Sequence, residues 1–220
     1  MDSVLKRLVV ATFVFSAHSA VLASESVCES KFVSLQCGQG VISEIPAGHF
    51  ASITLDNTTV TDITRTPNPT GSFIAIFARL NDVEITAGGL NLKNTNVMGE
   101  GTLTAGGMDF DTVNLDKTVL LTAGSLTIKN SQLHANEEIV SPNVVLASTN
   151  TQSIRVIKSD PDDLKQLMKV TLEGGTIVTG DIRFTDKEGR TLDSKKAVVC
   201  TDSSAKITGS VYGGRLSSIC

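Results

Sequence analysis

The sequence predicts an all-β fold: a right-handed parallel β-helix, or β-solenoid, with about 18 residues per coil. Three observations predict it. The tripeptide Thr-Ala-Gly recurs at Thr86, Thr104 and Thr122, each time after 18 residues. Four columns of the aligned repeat stay apolar while their neighbours are polar or small. Thr, Val, Ile, Asn and Gly are plentiful and Trp is absent, a composition that suits strands and tight turns better than helices.

The repeat units begin at Ile85, Leu103 and Leu121, and less cleanly at Ile139. Position 6 is Leu90, Met108, Leu126 and Val144. Position 8 is Leu92, Phe110, Ile128 and Leu146. Position 13 is Val97, Leu115 and Leu133, and the column breaks at Thr151. Positions 6 and 8 flank a polar residue, the alternation of a half-buried strand. Position 4 is glycine (Gly88, Gly106, Gly124) and marks a bend before each such strand. One unit cannot bury its own apolar face, whereas stacked units can, which is the logic of a solenoid.

The pattern extends in both directions. Ile53, Leu55 and Val60 match positions 6, 8 and 13, and Ile177, Ile182 and Phe184 match positions 1, 6 and 8. About seven coils are expected between roughly residues 45 and 215. Two interruptions are expected. Residues 64–71 (TRTPNPTG) hold two prolines and predict a protruding loop. Residues 159–169 (SDPDDLKQLMK) predict a short helix, with Asp160 as cap, Pro161 in the first turn, and Asp162 and Asp163 favoured by the dipole. A left-handed hexapeptide solenoid would need apolar residues at position 7, but Asn91, Asp109 and Thr127 stand there. The calcium-binding nonapeptide type needs a Gly-Gly-x-Gly-x-Asp motif that is absent.

The N-terminus reads as a secretory signal. Lys6 and Arg7 precede the apolar run Leu8 to Phe15, and Val21-Leu22-Ala23 supplies a small-x-small cleavage site. Residues 1–23 are therefore expected to be removed. Residues 24–44 then form an N-terminal cap, and 45–220 the β-helix domain of a secreted or periplasmic protein. Loss of Asp2, Lys6 and Arg7 leaves 17 of 19 basic and 22 of 23 acidic residues, a net charge of −5. Without a basic patch, nucleic acid is not an expected partner. No later apolar run is long enough for membrane insertion.

The four cysteines, Cys28, Cys37, Cys200 and Cys220, read as disulfides in an exported chain. Zinc prefers close cysteine pairs with histidines nearby, and here the spacings are wide, so no metal or other cofactor is expected. A solenoid coil touches only its neighbours. Cys28 should therefore pair with Cys37 at one end, and Cys200 with Cys220 at the other.

At the repeats a resemblance appears. ITAGGLNLKNTNV, LTAGGMDFDTVNL and LTAGSLTIKNSQL resemble the repeats of filamentous haemagglutinin-type secreted adhesins. GGTIVTGDIRF and AKITGSVYGG near the C-terminus resemble bactofilin-like rungs. The first resemblance implies a right-handed β-helix and an adhesin-like, virulence-associated bacterial surface protein. It carries over the fold and no functional residue.

No catalytic residue is identified. Asp109 and Asp111 flank Phe110 and point outward on one face, a placement that suits glycoside hydrolysis. The repeat register sets Asp111 between Lys93 and Lys129 instead, a cross-strand charge ladder. The same register stacks Asn96, Asn114 and Gln132 as an amide ladder, and His134 over Asp116 as a surface pair. No serine completes a triad around them. His49 beside Phe50 reads as a packing residue, and Asn57-Thr58-Thr59 has the form of a glycosylation acceptor.

These observations favour a secreted, non-enzymatic β-helix with a binding, adhesin-like or surface-structural role. The expected partners are an extracellular polysaccharide, a host-surface ligand or further copies of the chain. A polysaccharide lyase or glycoside hydrolase, and a self-polymerising scaffold, are the alternatives.

Overall fold

A computed structural model describes residues 28–159 and 166–218. The expected leader over residues 1–23 and Cys220 lie outside the described residues. The described chain is all-β, a parallel β-solenoid of about ten turns with about 18 residues per turn.

The apolar columns set the register. The strands Val83–Val97 and Gly101–Leu115 pair in parallel with an 18-residue offset, so Leu90 lies beside Met108 and Leu92 beside Phe110. Val119–Lys129 continues the same offset, placing Ile128 beside Phe110. Phe110 is fully buried between Leu92 and Ile128. Each turn presents three faces. One holds positions 17 to 3 of the unit, including Val83, Ile85 and Ala87. The second holds positions 5 to 9, and the third positions 11 to 13. Alternate residues point inward on every face and build one continuous apolar bore.

The corners have their own chemistry. Between the first and second faces the backbones nearly touch. A Cβ on Gly106 would lie 2.8 Å from the carbonyl oxygen of Gly88, and one on Gly124 would lie 2.7 Å from that of Gly106. Between the second and third faces one residue per turn adopts positive φ: Asn57, Phe77, Asn94, Thr112, Asn130 and Ser148. Asparagine tolerates this left-handed conformation better than most residues. The next residue inward is often a buried hydroxyl. Thr95 donates to the Ala75 and Lys93 carbonyls, Thr149 to those of Ile128 and Ala147, and Thr176 to those of Leu146 and Glu173. These hydroxyls satisfy carbonyls near the corner and keep the polar backbone tolerable inside an apolar bore.

Several expectations need correction. The solenoid has about ten turns, not seven. Ser34–Cys37 and Gly40–Ile42 already pair in parallel with the next turn, so the stack begins before residue 45. At the other end Ala197–Thr201 and Arg215–Ser217 add further rungs. Ser34–Cys37 carries the same two inward columns as the middle turns, since Leu35 lies beside Ile53 and Cys37 beside Leu55. The proline segment is a smaller interruption than expected, since Thr64–Arg65 and Thr70–Ile76 are both strands. The helix expected at 159–169 falls largely outside the described residues, and its last two residues open the strand Met168–Glu173. Ile177, Ile182 and Phe184 do not occupy positions 1, 6 and 8. Val178 lies beside Thr151, and Phe184 beside Val156. The longer interval between the strands Ile154–Ile157 and Met168–Glu173 breaks the 18-residue spacing, so Val144 pairs with Val170 and the phase shifts. A further excursion at residues 186–196 was not expected at all. It is pinned by Asp186, which accepts hydrogen bonds from the Arg190 main chain at 2.8 Å and guanidinium at 2.6 Å, and it ends in a short 3-10 turn, Ser194–Lys196.

At the N-terminal end Cys28–Lys31 runs antiparallel to Ser34–Cys37, and a Cys28–Cys37 disulfide closes this hairpin. The hairpin covers the second face of the first turn. Cys200 is also disulfide-bonded. No helix among the described residues is long and apolar enough to cross a membrane. The disulfide is compatible with an extracellular or periplasmic location.

Candidate functional site

The outward columns of the second face carry Asp109 and Asp111, the pair whose placement suits glycoside hydrolysis. The register sets Asp111 between Lys93 and Lys129, as the repeat implied. The bonds differ from the expected ladder. Asp111 accepts from the Asn130 side-chain amide at 2.9 Å and from the Thr112 hydroxyl at 3.2 Å. The Asn130 bond is the main reason its carboxyl lies below the usual range, and the two lysines add to it at longer range. Lys129 instead makes its ion pair with Asp109, at 4.0 Å. Both aspartates are thus engaged by neighbouring side chains along the stack. Beside Asp109 and Lys129 lies a shallow depression of about 490 Å³, floored by the small residues Ser72, Gly89, Gly107 and Ser125.

The amide ladder is present where the side chains meet, since Asn114 donates to Asn96 at 2.8 Å. No hydrogen bond or ion pair joins the side chains of His134 and Asp116 among the described residues. His49 is exposed, so it is not the packing residue expected, while Phe50 does pack against the core. Asn57 is exposed at a positive-φ corner, and Thr58 is buried with its hydroxyl on the Gly38 carbonyl at 2.8 Å. Among the described residues no group of three or more His, Cys, Asp or Glu converges on a metal position.

The strongest candidate lies on the first face, where the repeat pattern breaks. The column of Val83, Val119, Ile154 and Ile182 points into the bore, and Glu137 occupies the same column. Glu137 is fully buried. Its Oε2 accepts from the Val119 main-chain N–H at 3.2 Å, and its Oε1 has no hydrogen-bond partner among the described residues. Burial outweighs the Val119 bond and pushes its carboxyl up to about 8. Glu137 therefore carries its proton at neutral pH.

A cleft of about 400 Å³ opens beside it, lined by Glu137, Glu138, Ser153, Arg155, Asp181 and Arg183 among others. Glu138, Arg155 and Arg183 lie in one outward column on successive turns. Arg155 donates to Glu138 at 2.8 Å and to the Thr185 hydroxyl at 3.3 Å. Arg183 donates to Asp181 at 2.8 Å, and its guanidinium carbon lies 4.7 Å from the centre of the Tyr212 ring. The Ser210 main-chain N–H, and then Arg183, hold the Asp181 carboxyl below its usual range. The cleft thus joins a neutral buried acid, two ionised carboxylates and two guanidinium groups.

The sequence held part of this signal. Glu137-Glu138 stands where the preceding unit has Val119-Leu120. Arg155 and Arg183 were not legible, because 28 residues separate them in the chain although their strands are adjacent. Compared with protein-family models, with curated proteins and with solved structures, the chain matches none.

Proposed function

We propose that the protein is an exported, non-enzymatic solenoid whose outer faces bind an extracellular polysaccharide or host-surface ligand. One observation carries the reading. The outward polar side chains of the second and third faces form in-register columns that engage one another along the stack, as Asp109 does with Lys129 and Asn114 with Asn96, instead of converging on one reacting point. Long flat faces of this kind suit extended, repetitive ligands. The signal-like N-terminus, the Cys28–Cys37 bond and the resemblance of the repeats to haemagglutinin-type adhesins support the same reading.

The test is a glycan and host-surface binding screen on the purified mature protein, with its mass in solution measured alongside. Retention of a defined polysaccharide by a monomer supports the reading. A protein that binds nothing in the screen contradicts it.

Two alternatives each have an observation behind them. Glu137 is raised while Asp181 is lowered, and such divergent carboxyls are what acid–base chemistry on a polysaccharide needs. Release of shortened glycan during the screen would establish that reading. Exposed apolar side chains gather at both ends, with Phe32 and Val33 at one and Leu216 at the other. Among the described residues Gly40–Ile42 and Arg215–Ser217 each pair on one side only. Concentration-dependent growth in mass would establish a self-polymerising scaffold.

A further inference from the structure

The cleft beside Glu137 carries an inference about the ligand, and it rests on the binding role proposed above. Its polar groups are only partly used. Arg155 bonds through Nη1 and Nε and Arg183 through Nη2, leaving guanidinium N–H groups free. Glu138 accepts through Oε1 alone. The Glu137 Oε1 is buried with no partner among the described residues, although Glu137 lines the cleft. A buried polar atom without a partner is costly, and natural proteins rarely retain one without use.

The pattern of unused groups selects the chemistry of what would satisfy them. Acceptors on Glu137 and Glu138 share one rung, and donors on Arg155 and Arg183 follow on the next two, with rungs about 4.8 Å apart. With Glu137 protonated, the two arginines are balanced by Glu138 and Asp181, so the cleft has no net charge to draw an ion. Among its lining side chains Ile154 is the one large apolar group, so a ligand with a broad apolar surface gains little. A hydroxyl group both donates and accepts, and neighbouring hydroxyls can serve a guanidinium and a carboxyl together.

We propose that this cleft is a binding site for a neutral, hydroxyl-rich ligand, a short stretch of a glycan chain, held by Glu137, Glu138, Arg155 and Arg183. Glu138, Arg155 and Arg183 meet it from the outward column, and Glu137, buried at the cleft wall, meets it once its carboxyl turns outward from the bore. The contact between Arg183 and the Tyr212 ring holds that guanidinium in place before the ligand arrives, which lowers the ordering cost of binding.

The experiment measures binding of the full mature chain to neutral oligosaccharides and to uronate-bearing or sulfated ones. Wild type is compared with Glu137→Val, Arg183→Met and Arg65→Met. Glu137→Val matches its column neighbours Val119 and Ile154, so it is expected to fold, and thermal unfolding checks that it does. Arg183 is largely exposed, so Arg183→Met keeps the test valid if Glu137→Val does not fold. Arg65 pairs with Glu84 on the same face several turns away and serves as the control. The expected result is binding of neutral oligosaccharides, weakened at least about tenfold by Glu137→Val and by Arg183→Met and unchanged by Arg65→Met. Binding that is insensitive to both cleft variants places the ligand elsewhere and overturns this site while leaving the binding role intact. Preference for the anionic glycans overturns the ligand class. Wild type that binds none of the glycans overturns both the site and the role it rests on.

Discussion

The carboxyl of Glu137 accepts a hydrogen bond from the main-chain N–H of Val119, one turn away, at 3.2 Å. On other turns the equivalent N–H donates to a main-chain carbonyl, as Val83 does to Glu100 and Ile154 to Asp181. Glu137 thus replaces a rung of the ladder with a side chain that is neutral at pH 7. The substitution links the stability of the bore to pH.

In the folded chain Glu137 holds its proton up to about 8, whereas in the unfolded chain it loses it near 4.5. Between those values the folded state binds more protons, so rising pH costs stability across the window and no further loss follows above it. Wild type should be on the order of 2–3 kcal/mol less stable at pH 8 than at pH 5 through this group. Glu137→Gln keeps an acceptor for Val119 and cannot ionise. Thermal or denaturant unfolding at both pH values should show the dependence shrink in this variant. An identical pH dependence in the two proteins removes Glu137 as its source.

Phe110 fills the bore between Leu92 and Ile128 and has no exposed surface. Phe110→Ala should cost about 3–5 kcal/mol in denaturant unfolding. A cost below about 1 kcal/mol is incompatible with a sealed bore at this rung.

Adjacent glycines should respond in opposite ways. A Cβ at Gly106 would meet the Gly88 carbonyl oxygen at 2.8 Å, while one at Gly107 would meet only the Ser125 hydroxyl at 3.6 Å. Gly106→Ala should destabilise by about 1–3 kcal/mol, the usual cost of forcing atoms into a packed site. Gly107→Ala should be neutral to within about 0.5 kcal/mol. Equal effects of the two changes would refute the close stacking of that corner.

Asp111 is held by Asn130 and Thr112 at the surface of the second face. Asp111→Ala should lower stability by well under about 1 kcal/mol. Ligand binding should survive the change. If a polysaccharide-cleaving activity is found and this variant abolishes it, catalysis belongs to the second face.

Non-reducing peptide mapping should recover Cys28 linked to Cys37 and Cys200 linked to Cys220. Replacing Cys28 and Cys37 together by serine should cost about 2–3 kcal/mol by freeing the N-terminal hairpin in the unfolded chain. A peptide joining Cys28 to Cys220 would contradict a linear stack, since each turn touches only its neighbours.

The sequence by itself determined the coil. Ile85, Leu90, Leu92 and Val97 recur as apolar residues every 18 positions, and only stacked turns bury all four columns at once. It also determined the local disulfide at Cys28 and the ladder of Asn96 and Asn114, because both follow from spacing within or between adjacent turns. The tertiary structure alone decided where the phase resumes after Ile157 and again after the excursion at residues 186–196, and so moved Phe184 beside Val156. It alone brought Arg155 and Arg183 together beside Glu138 and Asp181. The physical reason is that a solenoid fixes contacts by register, and register can be counted along the chain only while the repeat length is constant. Where the length changes, the pairing is chosen by which apolar side chains meet in the bore, and the outward charges are carried to their partners by that choice.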